Sequence, residues 1–366
     1  VGDAGVIDLR PVLFVVGILL TTLAAFMFVP ALADAMDGNP DWRVFLAAGF
    51  FTLFIGVTLM LMNRTGPVRL SVRQTFLLTT LAWIVMAAFA ALPFSFAELE
   101  LDYADAFFEA MSGLTTTGST VIIGLDDAPP GILLWRALLQ WQGGIGIIVM
   151  AIAVLPMLGV GGMQLFRTES SDQSEKALPR AAQISAVVSI IYLTLTLAAA
   201  IAYWSAGMTT FEAVCHAMTT IATAGFSTSD ESFRHFQNVN IEWIATGFMI
   251  IGSIPFMLYF DLVRGKRGAI WRDVQVQWFI GLVIVAVGLM TIWLWLYQGV
   301  AGEQALRHAA FNTISVITGT GYASADYGAW GSFAVTVLLF VMVIGNCGWL
   351  GVDEFLQLLL RWNFQV

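Results

Sequence analysis

A chain of 366 residues that is 58% hydrophobic and only 11% charged, with a mean hydropathy of +0.82, does not fit a soluble globular domain. Its apolar runs are too many and too long for buried core helices, since about 20 residues carry a helix across a bilayer. The net charge of −9 means little until it is sorted by side of the membrane, no nucleic-acid partner is expected, and the two cysteines, Cys215 and Cys347, in apolar surroundings, offer neither a disulfide framework nor a metal cluster.

Apolar length predicts an all-α polytopic membrane protein with eight spans, near 11–32, 43–62, 76–96, 132–155, 182–204, 241–260, 277–297 and 332–351. The first run follows Asp8 and Arg10, lacks a small-residue cleavage site, and is read as a retained span. With the N-terminus cytoplasmic, Arg10, Arg64, Arg69, Arg73, Arg167, Lys176, Arg180, Arg264, Lys266, Arg267, Arg272 and Arg361 lie inside. Only Arg43, Arg136, Arg234 and Arg307 fall outside, so the positive-inside rule selects this orientation. Acidic residues gather on the outer side, where a negative face raises the local concentration of cations.

In chain order, 1–75 reads as a transmembrane hairpin with an acidic outer loop (Asp34, Asp37, Asp41). Three units of one design follow, at 76–160, 161–273 and 274–366. Each has a span entering from inside, a short amphipathic segment, a glycine turn and a returning span. The short segments with their turns are ADAFFEAMSGLTTTGSTV (Ala104–Val121), FEAVCHAMTTIATAGFS (Phe211–Ser227) and ALRHAAFNTISVITGTGYAS (Ala305–Ser324). In the first, Phe107, Phe108, Met111 and Leu114 mark an apolar face, with Asp105, Glu109 and Ser112 polar. These segments are expected to dip into the membrane without crossing it. Trp42, Trp141, Trp204, Trp243, Trp278 and Trp330 lie near span ends, where an amphipathic ring prefers the headgroup region.

Aligned on the glycine, the turns read Thr115-Thr116-Thr117-Gly118, Ala222-Thr223-Ala224-Gly225 and Thr318-Gly319-Thr320-Gly321. A cation stripped of water must recover oxygen ligands, and backbone carbonyls supply them where the chain is neither helix nor strand. Such backbone survives at membrane depth only beside protein or a water-filled cavity. Glycine takes the positive φ that points successive carbonyls to one side, threonine adds hydroxyl oxygens, and each half-helix aims its partially negative C-terminal end at the site.

The chain resembles the Trk-type potassium uptake subunits of the Trk/Ktr/HKT superfamily over essentially its whole length. The resemblance rests on FFEAMSGLTTTGSTV (Phe107–Val121), LQWQGGIGIIVMA (Leu139–Ala151) and GGMQLFRTESSDQSEKALPR (Gly161–Arg180), together with HAMTTIATAGFSTSD (His216–Asp230) and FNTISVITGTGYASADY (Phe311–Tyr327). It implies a potassium-channel-like fold of four span–half-helix–span repeats behind an extra hairpin, which 11–62 fits. It also implies potassium uptake across a bacterial cytoplasmic membrane, coupled to protons or sodium or passive, with potassium as substrate and no bound cofactor. A homodimer seated on a cytoplasmic ring of nucleotide-binding regulatory (TrkA-like) subunits is implied as well. By position, Thr116, Thr117, Thr223, Ala224, Gly319 and Thr320 would offer carbonyls, with Gly118, Gly225 and Gly321 allowing the twist; Thr115, Ala222 and Thr318 complete the filter set.

Three departures qualify the resemblance. Ala224 replaces a usual second glycine and Ala222 a usual serine, and an alanine at negative φ still presents its carbonyl. Below the third filter the family's returning span breaks at a small-residue gate holding a lysine. Here that gate region reads Gly345-Asn346-Cys347-Gly348 and continues into Trp349 and Leu350 without the lysine. No fourth half-helix follows, so a truncated copy is expected.

Other chemistry is set aside. Cys215-His216 lacks a partner at ligand or nucleophile spacing, and His308 at a comparable place argues for a structural role. Gly159–Gly162 lacks the Gly-Lys-Ser/Thr ending of a phosphate loop. Gly143, Gly144 and Gly146 are expected to let helices approach closely, and Arg136 is read as a snorkelling anchor rather than as a partner of Glu109. A secondary transporter of a small organic solute, built on broken helices, is the alternative; like turns in every unit argue against it. A membrane hydrolase finds no constellation, and no enzyme activity is expected.

Overall fold

The computed structural model describes residues 8–64, 70–158 and 177–348. All regular structure among these residues is helical, and the chain divides into two compact units, Val1–Ala186 and Val187–Val366. Five helices of the described residues are long and apolar enough to cross a membrane, or six if one bent pair is a single span. The inner connection 161–176 and the end of the gate region's surroundings, 349–366, lie outside the described residues.

The first unit is built around α1 (Arg10–Asp37), which packs on α2 (Trp42–Met62), α3 (Val72–Ala90) and α6 (Pro130–Leu158). Its buried residues Val12, Val16, Leu20, Leu23, Met27 and Ala31 recur at three and four, the spacing of one helical face. α1 and α2 approach through glycine: a Cβ on Gly17 would lie 2.7 Å from the Gly56 carbonyl oxygen, and one on Gly56 2.8 Å from Thr21 N. Near its end, the buried Asp34 accepts the Gly131 N–H at 2.5 Å, so its carboxylate serves the first turn of α6. The hairpin is thus part of the first unit's core.

α3 starts at a capping box, Ser71 Oγ accepting from Gln74 N while Gln74 returns its side-chain oxygen to Ser71 N. It gives way to the short α4 (Leu92–Phe96) and then α5 (Tyr103–Leu114). Twelve residues of helix span about 18 Å, well short of the roughly 30 Å of a hydrocarbon core. α5 is the expected half-helix.

The second unit takes in α7 (Ala177–Ser205) from Val187 onward, then the second half-helix, α8 (Thr210–Ile221), which opens with a capping box between Thr209 and Glu212. α9 (Val239–Gly252) and α10 (Phe256–Val263) follow, then α11 (Ala269–Arg272), α12 (Val274–Tyr297), the third half-helix α13 (Gly302–Ile317) and α14 (Ser332–Gly348). Met290 and Leu294 of α12, Ala305 and Ala309 of α13, and Ala334 and Leu338 of α14 form one core with Trp330.

One predicted span is not continuous. Where a single helix over 241–260 was expected, α9 and α10 meet at an 83° bend across Ser253–Pro255. Pro255 has no N–H to give and disfavours helical backbone at Ile254, so the ladder stops there. In the gate region, Gly345–Gly348 continue α14 as helix.

Candidate functional site

The first two half-helices end in the same way, and the third in a variant of it in which the second bond comes from one residue further on. In the first turn, Thr115 is the C-cap, and Thr116 (φ +56°) enters the left-handed region. Thr116 N donates to Gly113 O at 3.0 Å and Thr117 N to Ser112 O at 2.9 Å. That pair of bonds is a Schellman motif, which ties the loose helix carbonyls with the turn's own donors. The second turn repeats it: Ala222 caps, Thr223 has φ +50°, Thr223 N donates to Thr220 O and Ala224 N to Thr219 O, both at 3.0 Å. In the third, Thr318 caps, Gly319 has φ +73°, Gly319 N donates to Val316 O at 3.2 Å, and Gly321 N to Ser315 O at 3.2 Å.

A second left-handed residue follows two positions later: Gly118 (+79°), Gly225 (+79°) and Gly321 (+88°), with Thr117, Ala224 and Thr320 between at ordinary φ. Alternating hands set successive N–H groups to one side and successive carbonyls to the other. Here the N–H groups turn back to the half-helix. Among the described residues, the carbonyls of Thr116, Thr117, Thr223, Gly319 and Thr320 accept no hydrogen bond. The turns' own bonding leaves these five carbonyls open, Thr320 on a buried residue and the others on residues that are partly buried or exposed. Sequence reasoning found one hinge per turn and missed the first, since Thr116 and Thr223 carry side chains in a region that favours glycine. Ala224 stays at ordinary φ, which leaves its carbonyl in the alternating pattern.

Within the second unit the second and third turns abut. A Cβ on Gly225 would overlap the Thr320 carbonyl oxygen, so this glycine is required by space as well as by φ. Tyr322 locks the two together: its hydroxyl lies 2.5 Å from Thr219 Oγ1 and 3.2 Å from Thr220 Oγ1, and its ring packs 4.4 Å from Phe233.

The returning spans press on the half-helices through glycine. A Cβ on Gly143 of α6 would overlap the Leu114 carbonyl, and one on Gly345 of α14 the Ile317 carbonyl. A Cβ on Gly252 of α9 would sit 3.2 Å from Thr220 O and 3.3 Å from Ile221 O. Leu114, Ile221 and Ile317 each stand four residues before their turn's glycine, so the three approaches are equivalent. Of the glycines expected to allow close packing behind the first turn, Gly143 does so, and Gly146 has nothing within 4 Å.

Behind the turns lie buried polar residues that sequence reasoning misjudged. Glu109 and Ser112 are buried, whereas Phe108 on the supposed apolar face is 45% exposed. Glu109 and Ser112 thus face inward and Phe108 outward, while Asp105 is exposed and Phe107 partly buried. Arg136 is no anchor: 1% exposed, its Nε donates to Glu109 Oε1 at 2.8 Å. The same carboxylate accepts from Thr120 Oγ1 at 2.9 Å and Val121 N at 3.0 Å. His216, read from the sequence as neither metal ligand nor nucleophile, is fully buried and hydrogen-bonded through both ring nitrogens. Its Nδ1 lies 2.8 Å from the Glu212 carbonyl, which can only accept, so Nδ1 carries the proton and Nε2 accepts from Ser227 Oγ at 3.1 Å. Its counterpart in the third repeat is Asn312, not His308, which stands one helical turn earlier. Arg307 of α13 pairs with Glu242 of α9, tying the third half-helix to the span that returns from the second turn.

Repeated spans, half-helices too short to cross, and turns with donor-free carbonyls define a multi-pass membrane protein of the ion-translocating class. A family profile described as TrkH, a cation transport protein, matches residues 42–351. The chain belongs to that family. It is 42% identical over 338 residues to the Trk system potassium uptake protein TrkI of Halomonas elongata, covering 92% of this chain and 68% of that protein. It is 38% identical over 343 residues to the Trk system potassium uptake protein TrkH of Escherichia coli K12, covering 92% and 71%. Among solved structures, the potassium transporter TrkH from Vibrio parahaemolyticus matches with a TM-score of 0.84 and 35% identity, over 92% of this chain and 70% of that one.

Proposed function

We propose that this chain takes up potassium across the cytoplasmic membrane, each turn contributing peptide carbonyls to a selectivity filter. The single observation that carries the reading is the set of five turn carbonyls with no hydrogen-bond donor, at the tips of half-helices whose C-terminal ends favour a cation. The relatives' names as potassium uptake proteins support it. Thr115–Gly118, Ala222–Gly225 and Thr318–Gly321 form the filter set, and Gly345–Gly348 the gate region. The four segments 1–75, 76–160, 161–273 and 274–366 act as hairpin and successive pore repeats. The basic residues on the inner side support a cytoplasmic N-terminus, and by resemblance the protein works as a homodimer on a nucleotide-binding cytoplasmic ring. Transport involves no covalent chemistry. A solute transporter on one or two broken helices would not need the same turn three times.

The test is growth. Cells without their own potassium uptake, given the full-length counterpart of this chain, should grow in low potassium. Gly118→Ser and Gly225→Ser should let sodium compete with potassium. Growth rescue with selection unchanged in both variants would refute the filter assignment.

A further inference from the structure

Glu109, His216 and Asn312 each stand nine residues before their turn's glycine, and each is 0% exposed. As side chains they share only the ability to hydrogen-bond a hydroxyl, and each does so on the segment leaving its turn. Glu109 holds Thr120 Oγ1 and Val121 N; His216 holds Ser227 Oγ. Asn312 donates from Nδ2 to Ser324 Oγ at 3.1 Å and accepts from Ser324 N at 3.1 Å. Three residues further along the half-helix, Ser112 Oγ donates to Ser119 O at 2.6 Å and Ser315 Oγ to Tyr322 O at 2.7 Å. The equivalent Thr219 Oγ1 meets the Tyr322 hydroxyl instead.

We propose that Glu109, His216 and Asn312 are positioning residues that set ion selection by fixing the strand on the outer side of each filter turn. The proposal rests on the filter reading above. The leaving segments carry no regular structure, and in each of them a side-chain bond from its half-helix holds the residue two or three places past the glycine; in the third, Ser232 and Arg234 also bond Ala323. An apolar residue would fill the same volume without the desolvation penalty that buried polar groups carry, so packing alone does not account for polar groups in all three places. The first strut differs in being charged. Arg136 neutralises Glu109 and adds its own bond, Nη2 to Thr120 Oγ1 at 3.1 Å, so carboxylate and guanidinium grip one hydroxyl together.

The test measures potassium uptake against sodium competition in the full native protein, with Gly225→Ser as reference. His216→Leu, Asn312→Leu and Glu109→Gln should each reduce potassium-over-sodium preference about fivefold or more, the effect of losing roughly one net hydrogen bond. His216→Gln, which can still donate to Glu212 O and meet Ser227, should keep most of the preference. A purely structural role would lower the amount of protein without moving the preference. Should the buried variants fail to fold, Ser227→Ala and Ser324→Ala remove the same bonds from the strand side and decide the matter. If Gly225→Ser loosens selection while the strut variants and both serine variants leave it unchanged, the proposal is overturned. If Gly225→Ser also leaves it unchanged, the filter reading fails and takes this proposal with it.

Discussion

At Gly225 two demands coincide, left-handed backbone and the Thr320 carbonyl where a side chain would go, whereas at Gly321 only the first applies, with nothing within 4 Å of its Cβ. Gly321→Ala should therefore cost about 1–2 kcal/mol of backbone strain, and Gly225→Ala clearly more. Thermal unfolding of the purified variants checks the order, and equal shifts would contradict the packing. The Glu109–Arg136 pair allows a second test. Arg136→Met alone leaves a buried carboxylate uncompensated and should destabilise by about 3–5 kcal/mol, while Arg136→Met combined with Glu109→Leu should recover part of that loss. A double variant less stable than the single one would contradict the pairing. The turn glycines Gly118, Gly225 and Gly321 are legible in the sequence because they recur in register. The struts are not legible there, because a glutamate, a histidine and an asparagine share no letter, and only the place they occupy reveals the repeat. Arg136 was misread because a hydropathy map cannot tell a cation at a span end from one folded back onto a half-helix.

Half-helices and spans are joined at glycine seats, and these separate one helix glycine from another. Gly143→Ala should push α6 off α5 and lower both stability and uptake. Gly146→Ala, with open space around it, should be neutral or stabilising by about 0.5–1 kcal/mol, since alanine is the better helix former. Melting temperature and uptake, measured side by side, distinguish the two. The spans themselves were legible because length and apolarity suffice to define them. The 83° break after Gly252 was not: Ile250–Tyr259 is apolar on both sides of Pro255, and hydropathy averages over the proline that ends the helix. The half-helices were legible in existence but not in orientation. Amphipathicity normally puts polar groups toward water, whereas here Glu109 and Ser112 face inward.

At the scale of the first unit, the hairpin stands outside the repeats in sequence, yet α1 touches α2, α3 and α6 and lends Asp34 to the start of α6. Removing residues 8–64 should leave no protein that elutes as a single species in detergent; a well-behaved shortened protein would show the hairpin to be dispensable. Asp34→Ala, which withdraws the carboxylate from Gly131 N, should lower the melting temperature by the equivalent of about 0.5–2 kcal/mol, as loss of a helix cap does.

The seat of Gly225 against Thr320 bears on how the pathway fails. Two loops with no slack between them cannot loosen one at a time, because close-packed interiors pass a displacement on to the neighbour rather than absorbing it. Any oversized ion or mutation that forces one loop aside must shift the other as well. Loss of discrimination should then come abruptly and on both walls together, and a repair made to one wall alone should not restore it.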